Sequence, residues 1–221
     1  MYSQNTYKFC FIICSNNEQY TNECIHHISM LHVPDGYTVD LLTITDAHSM
    51  TSGYNEGMNA SDARYKIYLH QDVFILNKNI LYDILNIFSS SDIGMIGVIG
   101  SVQLPKTAIM WHGPRVGQLY SNAVYYSYLT DFNSIPHEMC QVKAIDGLMM
   151  ITQYDIPWRE DLFTGWNFYD ISQCLEFQKH GYKIVVPQTS QPWCFHDDGM
   201  MNLTHYYEDR DIFLRNYRDY L

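Results

Sequence analysis

The sequence predicts an α/β fold, a parallel sheet with covering helices, on three observations. An apolar run, a helical pattern and a second apolar run follow one another from Lys8 to Ile44, a strand–helix–strand opening. Further strand-length apolar runs then alternate with amphipathic patterns toward the end of the chain. Polar side chains gather where the runs stop, and ligands bind at the carboxyl ends of strands in open α/β sheets.

Lys8-Phe9-Cys10-Phe11-Ile12-Ile13-Cys14 is nearly all apolar, as expected of a strand buried on both faces. The turn Ser15-Asn16-Asn17-Glu18 leads into a helix carrying Cys24, Ile28 and Leu31, which Pro34-Asp35-Gly36 stops. Tyr37 to Ile44 is the second strand. Asp46 or Ser52 is read as the cap of a helix running through Ala63. Tyr65 to Ile75 is a strand run broken by His70-Gln71-Asp72. An imidazole and a carboxylate at a strand end suit a divalent metal or a phosphate-bearing ligand, and a plain turn with Asp72 as a cap is the duller reading.

Ile80, Leu81, Ile84, Leu85, Ile87 and Phe88 form an amphipathic helix from Asn79, and Ile93 to Ile99 a glycine-punctuated strand. Residues 101–140 are irregular and enriched in Tyr120, Tyr125, Tyr126 and Tyr128, an insertion with its own short hairpin. Val142 to Ile151 is a strand interrupted by Asp146-Gly147. A helix carrying Ile171, Cys174, Leu175 and Phe177 ends at His180-Gly181, a glycine stop. Lys183 to Pro187 is the last buried strand, Trp193 to Gly199 a polar, aromatic loop, and Ile212, Phe213, Tyr217 and Tyr220 mark a final helix.

At 221 residues the expectation is one domain, with no internal repeat or linker. A net charge of -11 argues against a nucleic-acid surface and against polybasic membrane attachment. The 19 tyrosines suit pockets for ligands that are both polar and partly apolar, sugars and bases among them. The six cysteines lack a C-x-x-C pair and no secretory signal is evident, so they read as reduced packing thiols of an intracellular protein. No apolar stretch is long enough to span a membrane.

The order of these motifs resembles the family 2 glycosyltransferases, inverting nucleotide-sugar transferases of the GT-A fold, and more narrowly a bacterial glycosyltransferase-like branch that writes His-Gln-Asp for Asp-x-Asp. The resemblance rests on Ile12 to Glu18, Ser52 to Gly57, Tyr65 to Asp72, Ala144-Ile145-Asp146-Gly147, Gly165 to Asp170, Gly181 to Ile184 and Trp193 to Asp197, in family order. It implies a mixed, mainly parallel sheet sandwiched by helices, forming a single GT-A domain over 1–221 with 101–140 on the acceptor side.

The resemblance also implies roles. Asp72 would hold a divalent metal, Mn²⁺ or Mg²⁺, against the phosphates of a nucleotide-sugar donor such as a UDP-sugar, and His196 would complete the metal shell. His70, in place of the family's first aspartate, would sit near the ribose or the metal as a donor-binding residue. The loss of a carboxylate leans toward Mn²⁺ or toward weaker metal dependence; a histidine bonded to a backbone carbonyl is the plainer reading of His70. Ser15, Glu18, Asp46 and Asn55 would contact the donor, although each also reads as a turn former, a cap or a solvated helix position. Asp146 would border the donor or acceptor sugar, or form a turn. Asp170 would be the catalytic base of a single displacement, or cap a helix with Gln173. Trp166 is the acceptor-side platform, with Trp111 and Trp158 as further candidates, Trp158 equally readable as a core anchor. Family habit suggests a glycan or lipid-linked acceptor and a cytoplasmic protein, peripheral at the inner membrane face. The sequence leaves oligomeric state unread. The rival readings are a GT-A module that binds nucleotide or sugar without catalysis, and a nucleotidyltransferase, for which the glycine-rich basic triphosphate loop is missing.

Overall fold

The computed structural model of the chain describes residues 4–123, 126–132, 135, 137–199 and 202–221; Tyr125 lies outside them. In chain order the elements are β1 (Asn5–Cys14), α1 (Glu18–Ser29), β2 (Thr38–Ile44), α2 (Met50–Ala60), β3 (Ala63–His70), β4 (Val73–Ile75), α3 (Ile80–Ile87), β5 (Ile93–Ile96) and β6 (Ile99–Ser101). They continue with β7 (Arg115–Ala123), β8 (Tyr126–Asp131), β9 (Met139–Gln141), β10 (Ala144–Ile145), β11 (Met149–Thr152), α4 (Tyr169–Lys179), β12 (Lys183–Pro187), β13 (Cys194–His196) and α5 (Tyr206–Tyr217).

Side chains alternate across a strand, so β1 feeds two cores at once. Phe9, Phe11 and Ile13 pack with Cys24 and Ile28 of α1 and Ile80, Leu81 and Ile84 of α3. Cys10, Ile12 and Cys14 face the other way, toward Tyr54 of α2, Cys174 of α4 and Phe213 of α5. Helices therefore cover both faces of the sheet. Its seven strands run in the order β2-β1-β3-β11-β5-β12-β9. β1, β2, β3, β5 and β12 share one direction, and β11 and β9 oppose them. The mixed, mainly parallel α/β sheet expected from the sequence is the one observed. α2 seats tightly because Gly57 faces Ile12 and Gly53 faces the Cys14 thiol, so a side chain at either position would collide.

Several local readings change. The cap of α2 is Ser49, whose hydroxyl accepts from the Ser52 N–H while Ser52 bonds back, and the helix stops at Ala60, before Ala63 opens β3. Neither Asp46 nor Ser52 is the cap. The runs read as single strands at 65–75, 93–99 and 142–151 each divide between the main sheet and a second one, ordered β10-β6-β7-β13-β4 with β8 on β7. Local strand propensity reports a fit to a pleated surface, not which sheet accepts it. The segment read as a loop at 193–199 contains β13, which joins β4 and β7. The hairpin expected within 101–140 is β7–β8. All six thiols are free, five of them buried and Cys140 partly exposed. No described helix is long and apolar enough to cross a membrane.

Candidate active site

The site is built where β3 ends. The His70 N–H donates to the Leu148 carbonyl (3.0 Å), which holds the backbone in the sheet and leaves the imidazole to project from its edge. Gln71 turns back as a latch: its Oε1 accepts from the N–H groups of Asn16 (3.0 Å) and Asn17 (2.9 Å), and its Nε2 donates to Asn16 Oδ1 (2.6 Å). Asp72 follows. The antiparallel β13–β4 register sets His196 opposite Val73, and the Asp197 N–H donates to the Asp72 carbonyl (2.9 Å), so His196 arrives beside the Asp72 carboxylate.

Asp72 Oδ1 lies 3.5 Å from His196 Nε2 and 3.9 Å from His70 Nδ1. One ligand atom from each of the three residues falls within 4.8 Å of the others. Asp72 Oδ1 is buried and accepts no hydrogen bond, a costly state for a carboxylate oxygen that a cation at this point, a metal ion or the protonated His196, would relieve. Two imidazoles and a carboxylate suit a first-row divalent ion such as Mn²⁺. The residues present fit a metal.

Burial depresses the basicity of His70, partly offset by Asp72, and so favours its neutral, metal-ligating form. Burial would raise the Asp72 carboxyl, but the two histidines outweigh it and hold the group below the usual carboxylate range. His196 goes the other way: burial lowers its basicity and Asp72 more than restores it.

The first turn of α4 supplies the second half of the site. Phe168, which precedes it, adopts φ 60°, a left-handed conformation unusual for a bulky residue. Phe168 is wedged against Tyr206 and Phe213, which hold it there. Tyr169 then reaches back across the cleft, its hydroxyl 2.5 Å from His70 Nε2. Gly147 makes the room, since a Cβ at that position would collide with the Tyr169 hydroxyl. Asp170 lies inside the first turn and is not the cap residue, so the capping alternative with Gln173 does not hold; Gln173 instead donates to the Ile156 carbonyl (2.6 Å). Burial, then the neighbouring Asp146 carboxylate, pushes the Asp170 carboxyl up to about 7, against the opposing backbone N–H groups of Ile171, Asp170 and Gly147.

These groups share one cleft with two lobes. The larger, about 530 Å³, is lined by His70, Asp72, Asp146, Trp166, Asp170 and His196 among others. The smaller, about 190 Å³, runs past Ser15, Asn16, Thr45 and Ala47 to meet the same His70, Asp72 and Trp166. Trp111, Tyr128 and Trp166 are exposed on the wall of the larger lobe. A bigger depression, about 670 Å³, lies between α3 and residues 187–193 and contains none of the three clustered ligands.

The structure thus brings together Ser15, His70, Asp72, Asp146, Trp166, Asp170 and His196. Asp146 also keeps its turn role, accepting from the Leu148 N–H (2.9 Å). Glu18 borders an adjoining depression beside Ser15 and Asn16. Asp46 is exposed and lines none of these cavities. Asn55 is buried, its amide spent on the backbone of Trp158 (3.0 Å to the carbonyl, 2.8 Å from the N–H), so it is a core residue and not a donor contact. Trp158 is core as well. Tyr169, Gln71 and Arg115 were missed as site residues. Tyr169 stands beside Asp170 in the Phe168-Tyr169-Asp170 motif, whereas Arg115, which lies over the rings of Trp111 and Phe132, carries no local signal.

Residues 10–217 match the sequence model of the glycosyltransferase-like family. No curated protein sequence matches the chain. Among solved structures, Staphylococcus aureus TarS 1-349 superposes with a TM-score of 0.55 at 11% identity, covering 91% of this chain and 63% of that one. The mannosyltransferase PcManGT from Pyrobaculum calidifontis, in complex with GDP-Man and Mn²⁺, gives 0.56 at 9% identity, covering 93% and 60%. A Drosophila β-1,4-galactosyltransferase 7 mutant, in complex with manganese, UDP-Gal and xylobiose, gives 0.52 at 13%, covering 91% and 74%. At these identities the likeness is one of fold, GT-A, and the chain spans less than two thirds of the first two.

Proposed function

The chain belongs to the glycosyltransferase-like family, and we propose that it is an inverting, metal-assisted glycosyltransferase acting on a nucleotide-diphosphate sugar. The observation that carries the reading is the His70–Asp72–His196 cluster, with its orphaned carboxylate oxygen, opening onto the same cleft as Asp170.

His70, Asp72 and His196 would hold the divalent ion. Once bound, such an ion neutralises the charge that builds on the departing nucleoside diphosphate. The donor nucleoside takes the smaller lobe, beside Ser15 and the β1–α1 turn that Gln71 steadies. The transferred sugar and the acceptor take the larger lobe, against Trp166 and Asp146. Asp170 accepts the proton of the acceptor hydroxyl. A carboxyl that titrates at about 7 is well matched to that work, being about half ionised near neutral pH yet basic enough to drive the transfer. A single displacement needs one such base and inverts the anomeric centre; a retaining double displacement would need a nucleophilic carboxylate too. UDP, UDP-GlcNAc and GDP-Man in complexes of structural neighbours support a nucleotide-sugar donor here.

The test is a thermal-shift screen of UDP- and GDP-sugars with Mn²⁺, followed by an assay for released nucleoside diphosphate. A donor that raises the melting temperature and is turned over supports transfer. A donor that binds and is never turned over, with any acceptor tried, makes the chain a binding module. No shift with any donor overturns the reading.

A further inference from the structure

Tyr169 has no role in the chemistry above, yet three features converge on its hydroxyl. It sits 2.5 Å from His70 Nε2. Gly147 is the only residue type that leaves it space, because any Cβ there would overlap it. The left-handed backbone at Phe168, held by Tyr206 and Phe213, fixes the start of α4 and with it the direction of the Tyr169 ring. That conformation is costly for a bulky residue and persists only where the surroundings over-determine it.

We propose that Tyr169 is a positioning residue that fixes the tautomer of His70, holding the proton on Nε2 so that Nδ1 stays proton-free toward Asp72. Only one ring nitrogen of a neutral imidazole carries hydrogen, and a nitrogen that binds metal must be bare. His70 Nδ1 is the nitrogen on the Asp72 side, at 3.9 Å. The hydroxyl of Tyr169 therefore accepts from Nε2–H. The opposite arrangement, with the tyrosine donating, would leave a proton on Nδ1 and close the site to a cation. A partner on the far nitrogen of a ligating histidine is a general means of fixing ring orientation and ligand basicity. The proposal rests on the metal-site reading above, and goes beyond it by assigning the proton and the residue that controls it.

Two measurements on the intact chain separate the proposal from that reading. Imidazole nitrogen chemical shifts of the metal-free protein report the His70 tautomer directly. The expected result is the Nε2–H form in wild type and a mixture in Tyr169→Phe, which removes one oxygen and keeps the ring packed against Tyr54 and Trp158. Titration with Mn²⁺ alone should then show affinity falling roughly 10- to 100-fold in Tyr169→Phe. Gly147→Ala, which displaces the hydroxyl without deleting it, should shift both readouts the same way. An Nδ1–H tautomer in wild type, or unchanged tautomer and affinity in Tyr169→Phe, overturns the proposal. Absence of Mn²⁺ binding to wild type overturns the metal reading, while the tautomer measurement still decides the role of Tyr169.

Discussion

Asp170 is a carboxyl that the fold would rather keep neutral. Its ordinary value is 3.8, and burial beside Asp146 raises it to about 7. In the folded chain it holds a proton that the unfolded chain has released, so its stabilising effect is complete below about pH 4 and is lost as pH rises through 7. Above that point the buried charge costs at most about 4 kcal/mol. Asp170→Asn should therefore melt at a higher temperature than wild type near pH 8, with the gap closing toward pH 4 in thermal denaturation series. The same variant should lose roughly 10²- to 10⁴-fold in transfer while still binding donor. In wild type, kcat/KM should fall about tenfold per unit below pH 7, because only the ionised form takes a proton. A flat acid limb would remove Asp170 from the base role.

At the scale of elements, α2 shows where sequence reading reaches its limit. A polar Asn55 among glycines and serines looks solvated on any helical pattern, but the side chain is turned inward and pairs with both backbone groups of Trp158. Asn55→Ala should lower stability by roughly 2 to 4 kcal/mol in urea denaturation, since two buried backbone groups lose their partners. Donor affinity per folded molecule should not change. The strand-end polar triad at 70–72, the aspartate at the start of α4 and the glycine stop after it were all legible because each depends on local pattern. β13 was not. Three residues have no period to detect, and its place between β4 and β7 is fixed by partners far away in sequence. The division of 65–75 between two sheets is not legible for the same reason: strand-forming residues are equally content in either. His196 was legible through its motif, whereas its approach to Asp72 depends on β13 pairing with β4.

For the whole molecule, an overall charge of -11 surrounds a cleft that itself gathers Asp72, Asp146, Asp170 and Asp198. Such a field concentrates divalent cations and disfavours strongly anionic acceptors. Binding that acts only on the folded state adds about 2.7 kcal/mol at a hundredfold excess over Kd. Mn²⁺ should thus raise the melting temperature of wild type by several degrees, reversibly on chelation, and leave Asp72→Asn unmoved in a thermal-shift assay. An equal shift in both proteins would place the ion elsewhere.

The two lobes of the cleft touch through few shared side chains, His70, Asp72 and Trp166. On the proposed reaction, this junction is where two outcomes for one activated sugar would part. A hydroxyl seated in the larger lobe would yield product; a water reaching the same point would only hydrolyse the donor. Trp166, half exposed, is the largest of the three side chains at that junction. Trp166→Ala should leave total donor consumption within a fewfold of wild type and shift its outcome toward free sugar, read as the ratio of hydrolysed to transferred product. An unchanged ratio would mean that the acceptor, not the protein, keeps water out.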